Sequence, residues 1–497
     1  MRVRVFAVAL FLFATPVLVF ADDYTAADLP QDAILKKIAD AAGRYQSDAY
    51  RTTIDSDGHG VKAQRVTIRH GDDYKTVESM TGGFTSAWGS YAANDWSMDQ
   101  NGVVFGQIKA GELQSAMERV DDSKYMKVLG ISAQSGCLDI DVNPPHGEHS
   151  VRCYDPKTYL LRKVTTWGHD RHKHVATYED YRTTYGAQVA YTRRYGDGRP
   201  ENDTTDRVVS VEKLSTIPDL VPPRSKPLFL LVGAPLALPA TFAPNGHILV
   251  RVQIGTRGLD FVLDTGSSNI VLDPGVAHDL GIVPVGQFGE SIGGDYHIAL
   301  GRVPEMRIGG ISMHDVAVDL APVSFEAGGE KEVGLLGRDF LASNIVEIDY
   351  KNKMVFVWPR DKFAQASQGV DPVTADFSGD SPSIEASFEG VKGKFLFDTG
   401  AAFSMIYRPY LETLPTHNPN GNHVTGMFVG GEVDMTGYTL RELALGPILF
   451  HNADVWVPTS STAVIDGYDG ILGRDILSAY RVFIDYQSAK LYLVLNN

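Results

Sequence analysis

Asp264 and Asp398 are the residues of this chain whose type and setting are suited to chemistry, because each closes an apolar run and opens the same triplet. Phe261-Val262-Leu263 leads into Asp264-Thr265-Gly266, and Phe395-Leu396-Phe397 leads into Asp398-Thr399-Gly400. A strand of that composition delivers a carboxylate to the bottom of a dry interior. Two carboxyl groups about 3 Å apart cannot both ionise cheaply, so such a pair holds one proton. The ionised member takes a proton from water while the protonated member donates to a carbonyl oxygen. That division of labour is what amide hydrolysis without a covalent intermediate requires. Read singly, each triplet is a tight turn with Asp as the turn former.

The triplets are not isolated. Leu335-Leu336-Gly337-Arg338-Asp339-Phe340-Leu341 returns as Ile471-Leu472-Gly473-Arg474-Asp475-Ile476-Leu477, and Ile348-Asp349-Tyr350 returns as Ile484-Asp485-Tyr486. Asp264 and Asp398 are offset by 134 residues and the later landmarks by 136, so the C-terminal half is one unit present twice. Two copies are too few for a solenoid, and a pseudo-two-fold pair is the natural reading. Each unit predicts a hairpin into its triplet: 248–254 and 259–263 around a turn at 255–258, then 384–388 and 394–397 around a turn at 390–393. Short helices are expected at 340–343 and 476–479, and final hairpins end at 355–357 and 491–493.

On these motifs the half from Asn245 to Asn497 resembles the pepsin and retropepsin superfamily of aspartic proteases. Asp264-Thr265-Gly266-Ser267-Ser268-Asn269 is pepsin-like, while Gly337-Arg338-Asp339 and Gly473-Arg474-Asp475 are retropepsin-like. The resemblance implies catalytic roles for Asp264 and Asp398 and cross-lobe hydrogen bonds from Thr265 and Thr399. It implies sharp turns at Gly266 and Gly400, and bracing of the loops by charge-assisted bonds from Arg338 and Arg474. It also implies Gly-rich flaps over an extended peptide, for which Ile292-Gly293-Gly294 with Tyr296, and Val429-Gly430-Gly431, are the candidates. One asymmetry stands out: Ser267 follows the first triplet and Ala401 the second. A Ser267 hydroxyl donated to Asp264 would favour its ionised form and leave the shared proton on Asp398.

The remaining elements frame that half. Over 31–43 the spacing of Ile34, Leu35, Ile38 and Ala41 predicts a helix, with Asp32 near its start. Alternation then predicts strands at 61–69, 73–79, 150–154, 160–166 and 175–181. This N-terminal region reads as an antiparallel sheet with a helix laid on it. Asn101-Gly102, Tyr154-Asp155-Pro156-Lys157-Thr158 and Tyr178-Glu179-Asp180-Tyr181-Arg182 give it a likeness to the periplasmic lipoprotein-carrier type of sheet. Seven prolines between Pro218 and Pro244 predict a stiff extended connector, through which the N-terminal domain would tune access without joining the chemistry. The expected fold is thus mostly β: an α+β sheet-plus-helix domain followed by a bilobal pair of pepsin/retropepsin-like barrels. The expected divisions are a signal peptide over 1–21, the N-terminal domain over 22–217, a linker over 218–244, and lobes over 245–365 and 366–497.

Composition narrows the function classes. Hydrophobic residues make up 43% and charged residues 21% of 497, which is globular usage. Arg2 and Arg4, the apolar run Val5 to Phe20, and Val19-Phe20-Ala21 read as a secretory signal, cleaved after Ala21. Loss of its two arginines takes the formal charge from −16 to −18, which argues against nucleic acid or an anionic membrane surface as partner. Cys137 and Cys153 are the only cysteines and can close a disulfide around Asn143-Pro144-Pro145 in an exported protein. His169, His172 and His174 do not assemble a metal site on strand alternation, and no cofactor motif occurs in a convincing context. The reading is an endopeptidase acting on peptide or protein substrates in a bacterial periplasm or medium, without metal or cofactor. It would be a monomer, as an intramolecular pseudo-dimer, with no membrane span after signal cleavage. The alternatives are a non-catalytic peptide-binding pseudoprotease, or an envelope ligand carrier or sensor acting through the N-terminal domain.

Overall fold

The structure, a computed structural model, describes all residues except 1–23, 26–28, 46–48, 110–124, 144–148, 168–172, 324, 328–329, 367–369, 378, 380, 416–417, 447, 461–462, 466 and 497. The signal segment, Pro144-Pro145, His169 and His172 therefore lie outside the described residues. Among the described residues, no helix is long and apolar enough to cross a membrane.

The N-terminal region is a single 14-stranded antiparallel sheet. Its strands follow one another as hairpins, and the strand Thr204–Lys213 closes back on Ala49–Gly58. The helix Gln31–Ala42 lies on the sheet. It buries Ile34 against Leu138, Ile140, Val142 and Tyr154, with Leu35 and Ile38 alongside, as their spacing on one face requires. The Gln31 side chain pins the start of the helix, donating to the Met126 carbonyl at 3.1 Å and accepting from the Val128 N–H at 3.2 Å. Cys137, just before the strand Leu138–Val142, and Cys153, on the neighbouring strand Ser150–Tyr154, are joined by a disulfide.

The C-terminal half is two closed six-stranded barrels. In the first, Arg257–Leu263 runs parallel to Glu330–Leu336, and Ile248–Ile254 closes the ring by pairing with Asp295–Ile308. In the second, Val391–Phe397 runs parallel to Gly470–Leu472, and Ser383–Phe388 closes on Gly431–Leu445. The predicted turns are tighter than expected. The strand after the second turn starts at Val391, so Gly393 is a strand residue and the bend falls on Glu389-Gly390. The short helices begin two residues earlier than expected, at Arg338–Leu341 and Arg474–Leu477.

A five-stranded sheet built from both halves joins the barrels. Val346 pairs with Ile484, Glu347 with Phe483, and Ile348 with Val482. At the offset of 136, Glu347 faces its own repeat counterpart, and the two flanking pairs exchange with one another. The pseudo-two-fold axis therefore passes between Glu347 and Phe483. One apolar core runs through both barrels and this sheet, from Phe261 and Leu263 through Val346 and Ile348 to Phe395, Phe397 and Val482. At roughly 1.5–3 kcal/mol for each large side chain fully removed from water, that continuity ties the lobes into one body.

The proline-rich stretch 218–244 lies along the first lobe. Leu228 N–H donates to Ser343 Oγ at 3.0 Å, Asn344 Nδ2 donates to the Phe229 carbonyl at 3.1 Å, and Leu236–Ala237 adds a strand beside Met354–Trp358. Apolar side chains between the prolines supply the reason: Phe229 and Leu238 are buried in the main core.

Candidate active site

Asp264 and Asp398 arrive at the ends of Arg257–Leu263 and Val391–Phe397, where the chain leaves each strand. Their backbone N–H groups are tied to the parallel neighbour, Asp264 to the Leu336 carbonyl and Asp398 to the Leu472 carbonyl, both at 3.1 Å. The two loops then meet across the pseudo-axis. Thr265 N–H donates to Thr399 Oγ1 and Thr399 N–H to Thr265 Oγ1, each at 3.0 Å. Onward, Thr265 Oγ1 donates to the Phe397 carbonyl at 2.6 Å and Thr399 Oγ1 to the Leu263 carbonyl at 2.8 Å. Both threonines are buried, so no water competes for these four bonds.

The glycines follow from the closeness of the loops. A Cβ on Gly266 would lie 2.7 Å from Asp398 Cγ, and one on Gly400 would lie 2.5 Å from Asp264 Cγ. Each glycine N–H also turns back to its own aspartate, Gly266 to Asp264 Oδ1 and Gly400 to Asp398 Oδ1, both at 2.8 Å. The two carboxyl groups hydrogen-bond to one another. Burial and the neighbouring Asp398 charge push Asp264 well above the usual carboxylate range. Burial raises Asp398 too, against the opposing pull of its bond to Asp264 and of the N–H groups of Gly400 and Ala401.

The expectation drawn from Ser267 loses its premise. Its hydroxyl donates to the Asn269 carbonyl at 2.9 Å and so is engaged within its own loop, away from the carboxylate. Ala401 N–H donates to Asp398 at 3.2 Å, and the Ser267 N–H lowers Asp264 in the same way, so the backbone treats the two carboxyl groups alike.

Arg338 and Arg474 touch the loops through their backbones, Arg338 N–H donating to the Ser267 carbonyl and Arg474 N–H to the Ala401 carbonyl, both at 2.9 Å. The Arg338 guanidinium lies 3.4 Å from the ring centre of Phe105, a residue of the N-terminal domain. Arg474 packs against Gly246, where a Cβ would come within 2.9 Å of its Nη1. Tyr350 and Tyr486, the ends of the third repeated landmark, lie near the dyad, Tyr350 buried and Tyr486 half-buried, and desolvation pushes both phenols far above their ordinary range. Sequence reasoning used these tyrosines only as markers of the repeat. Their recurrence beside Ile-Asp was the signal available.

Both Gly-rich hairpins reach the same point. Gly430 N–H donates to the Ile292 carbonyl at 2.9 Å, so tip meets tip. A Cβ on Gly430 would lie 2.0 Å from the Gly294 carbonyl oxygen, and one on Gly293 would lie 2.4 Å from Phe428 Cβ. Val429 crosses to pack, with Tyr296 and Ile298, on Val271, Ala321 and Val323 of the first lobe. Gly431 begins the outgoing strand of the second hairpin. The N-terminal domain grips the outer side of the first hairpin. Asn202 brackets Gly289, accepting from its N–H at 2.7 Å and donating to its carbonyl at 3.3 Å. His59 accepts from Gln287 N–H through its carbonyl at 2.7 Å, and Glu201 meets His297 at 3.0 Å.

Residues 250–340 and 384–476 each match the Aspartyl protease family. The two barrels fit tandem pepsin- or retropepsin-like units, one for each matched stretch. No curated protein sequence matches the chain. Among solved structures, the aspartic proteinase from Irpex lacteus is similar at 13% identity and a TM-score of 0.37, over 53% of this chain and 98% of that one. Basic 7S globulin from soybean is similar at 9% identity and a TM-score of 0.33, over 53% and 95%. A LolA superfamily protein from Nitrosomonas europaea is similar at 10% identity and a TM-score of 0.29, over 39% of this chain and 98% of its own. The N-terminal sheet touches the first barrel at its Gly-rich hairpin and beside its Gly-Arg-Asp segment.

Proposed function

We propose that this protein is an aspartic-type endopeptidase in which Asp264 and Asp398 activate a water against the peptide bond. The observation that carries the reading is the pair itself: two buried, mutually hydrogen-bonded carboxyl groups on loops locked together by Thr265 and Thr399. In this scheme the ionised aspartate takes a proton from water while its protonated partner donates to the carbonyl oxygen, forming a tetrahedral gem-diol. The aspartate that took the water proton then gives it to the departing nitrogen while the other takes a proton back from a gem-diol hydroxyl, so that the carbonyl re-forms, the C–N bond breaks and the dyad again holds one proton. The meeting of both flap tips supports an extended substrate gripped from above by backbone pairing, with Val271, Ala321 and Val323 offering an apolar wall.

The chain is further proposed to be exported to a bacterial periplasm or to the medium, to act as a monomeric pseudo-dimer, and to take peptide or protein substrates. The disulfide between Cys137 and Cys153 supports an oxidising compartment. Incubation with a diverse peptide mixture, with cut sites read by mass spectrometry, should show pepstatin-sensitive cleavage. Asp264→Asn and Asp398→Asn should each abolish it while keeping the wild-type melting profile. Cleavage surviving in either folded variant would remove the dyad from the mechanism, and peptide retention without turnover by the wild type would make the protein a binding module.

A further inference from the structure

The two protease lobes hold the same carboxylate in different ways. In the second lobe, Asp475 has three donors from within that lobe: Ser404 N–H at 3.0 Å, Ile476 N–H at 2.9 Å and the Ser404 hydroxyl at 2.6 Å. The first lobe repeats two of them on Asp339, Ile270 N–H at 3.1 Å and Phe340 N–H at 2.8 Å. Ile270 occupies the Ser404 position, six residues after its aspartate, and has no hydroxyl. The third donor comes from another domain. Asn101 Nδ2 lies 2.8 Å from Asp339 Oδ2.

Asn101 is firmly placed. Its side chain also accepts from Ala317 N–H at 2.8 Å and donates to the Ala317 carbonyl at 2.9 Å. The turn that carries it is organised by the Asp99 carboxylate, which accepts from the N–H groups of Asn101 and Val103 at 2.9 Å each. The connector secures the turn from behind, Val104 N–H donating to Ser225 Oγ at 3.0 Å and Lys226 N–H to the Gly102 carbonyl at 2.8 Å. Asp339 is wholly buried, and burial together with the nearby Asp99 charge pushes it up to about 8. A carboxylate in that setting depends on each donor it has. Through Ile270 N–H, Asp339 anchors the far end of the loop that begins at Asp264.

We propose that Asn101 is a positioning residue of the protease. From the N-terminal domain it supplies to Asp339 the donor that Ser404 supplies to Asp475, and so holds the Asp264 loop in register with the Asp398 loop. The proposal rests on the endopeptidase reading for its kinetic consequence alone. It replaces the expectation of an N-terminal domain that stands outside the chemistry, because a protease half without residues 99–105 would lack one of the three donors to Asp339.

The test uses the full-length chain. In Asn101→Ala, hydrogen exchange read by mass spectrometry should rise in peptides covering 264–272 and stay unchanged in 398–406, whereas Ser404→Ala should show the mirror pattern. Peptide cleavage by Asn101→Ala should lose roughly ten- to a hundredfold in kcat with KM within about twofold, as misplacement of a reacting group does. Adding Ile270→Thr, which places a hydroxyl where the second lobe has one, should recover most of both losses. Wild-type exchange and kcat in Asn101→Ala, a loss spread over both lobes, or a loss that Ile270→Thr leaves untouched would each overturn the proposal. A wild-type chain that cleaves nothing would end the endopeptidase reading and leave the exchange pattern to decide this one.

Discussion

Thr399→Val removes one hydroxyl and, with it, two bonds of the ring beneath the aspartates. Thr265 N–H loses its acceptor at 3.0 Å and the Leu263 carbonyl loses its donor at 2.8 Å. Thr265 and Leu263 are both buried, so neither group can turn to solvent. An unpaired buried polar group costs about 1–3 kcal/mol, which puts the pair at roughly 2–6 and, after partial relaxation, near ~3 kcal/mol. At about 2–4 °C per kcal/mol for a body of this size, the melting transition should fall by roughly 6–12 °C. Thr399→Ser keeps the oxygen and should fall by less than about a third of that. Thr265→Val should behave like Thr399→Val, since the pseudo-axis exchanges the two. The double variant should lose less than the sum, because the first break already loosens the loops that the second threonine spans. Calorimetry of the four variants and the wild type measures all of this. A Thr399→Val transition within about 2 °C of wild type, or a Thr399→Ser as damaged as the valine, would show that the ring is not what joins the lobes.

Gly430→Ala would place a Cβ 2.0 Å from the Gly294 carbonyl oxygen, so the flap tips must part. KM for a peptide should rise roughly tenfold while the melting temperature stays put, because the clash sits at the flap tips and outside the core; an unchanged KM would separate flap closure from peptide binding. Burial raises Asp339 to about 8 and Asp319 to about 6. Because both titrate near 4 when unfolded, the native protein binds more protons over that interval, and stability falls as pH rises from about 4 to 8. Asp339 alone accounts for about 4 kcal/mol by pH 7. Below about pH 4 the sign turns, since Asp155, held down by the Thr158 N–H, must be protonated. The melting temperature should therefore peak at about pH 4, and a value climbing steadily from pH 5 to pH 8 would contradict the burial argument.

Much of this site was legible because it is made of short, local motifs that occur twice. An apolar strand ending in Asp-Thr-Gly, and an apolar pair ending in Gly-Arg-Asp, specify their own backbone geometry, and repetition at 134 to 136 residues implies that the two copies face each other. The threonine ring, the close glycines and the meeting of Glu347 with Phe483 on the axis all follow from that symmetry. Where the symmetry is broken, sequence reasoning lost its guide. Ser267 could be recognised as a donor, but whether its hydroxyl reached Asp264 or the Asn269 carbonyl depended on rotamer and loop packing. Seven prolines predicted a stiff connector, and the tertiary structure decided what it lies against, through Phe229 and Leu238 in the core. Asn101 and Phe105 lie more than 200 residues before Asp339 and Arg338, in a turn with no chemical signature of its own. Their meeting is a matter of how two separately folded surfaces fit. Complementarity of that kind leaves no periodicity in a chain, so only the assembled fold could bring Asn101 to Asp339 and Phe105 to Arg338.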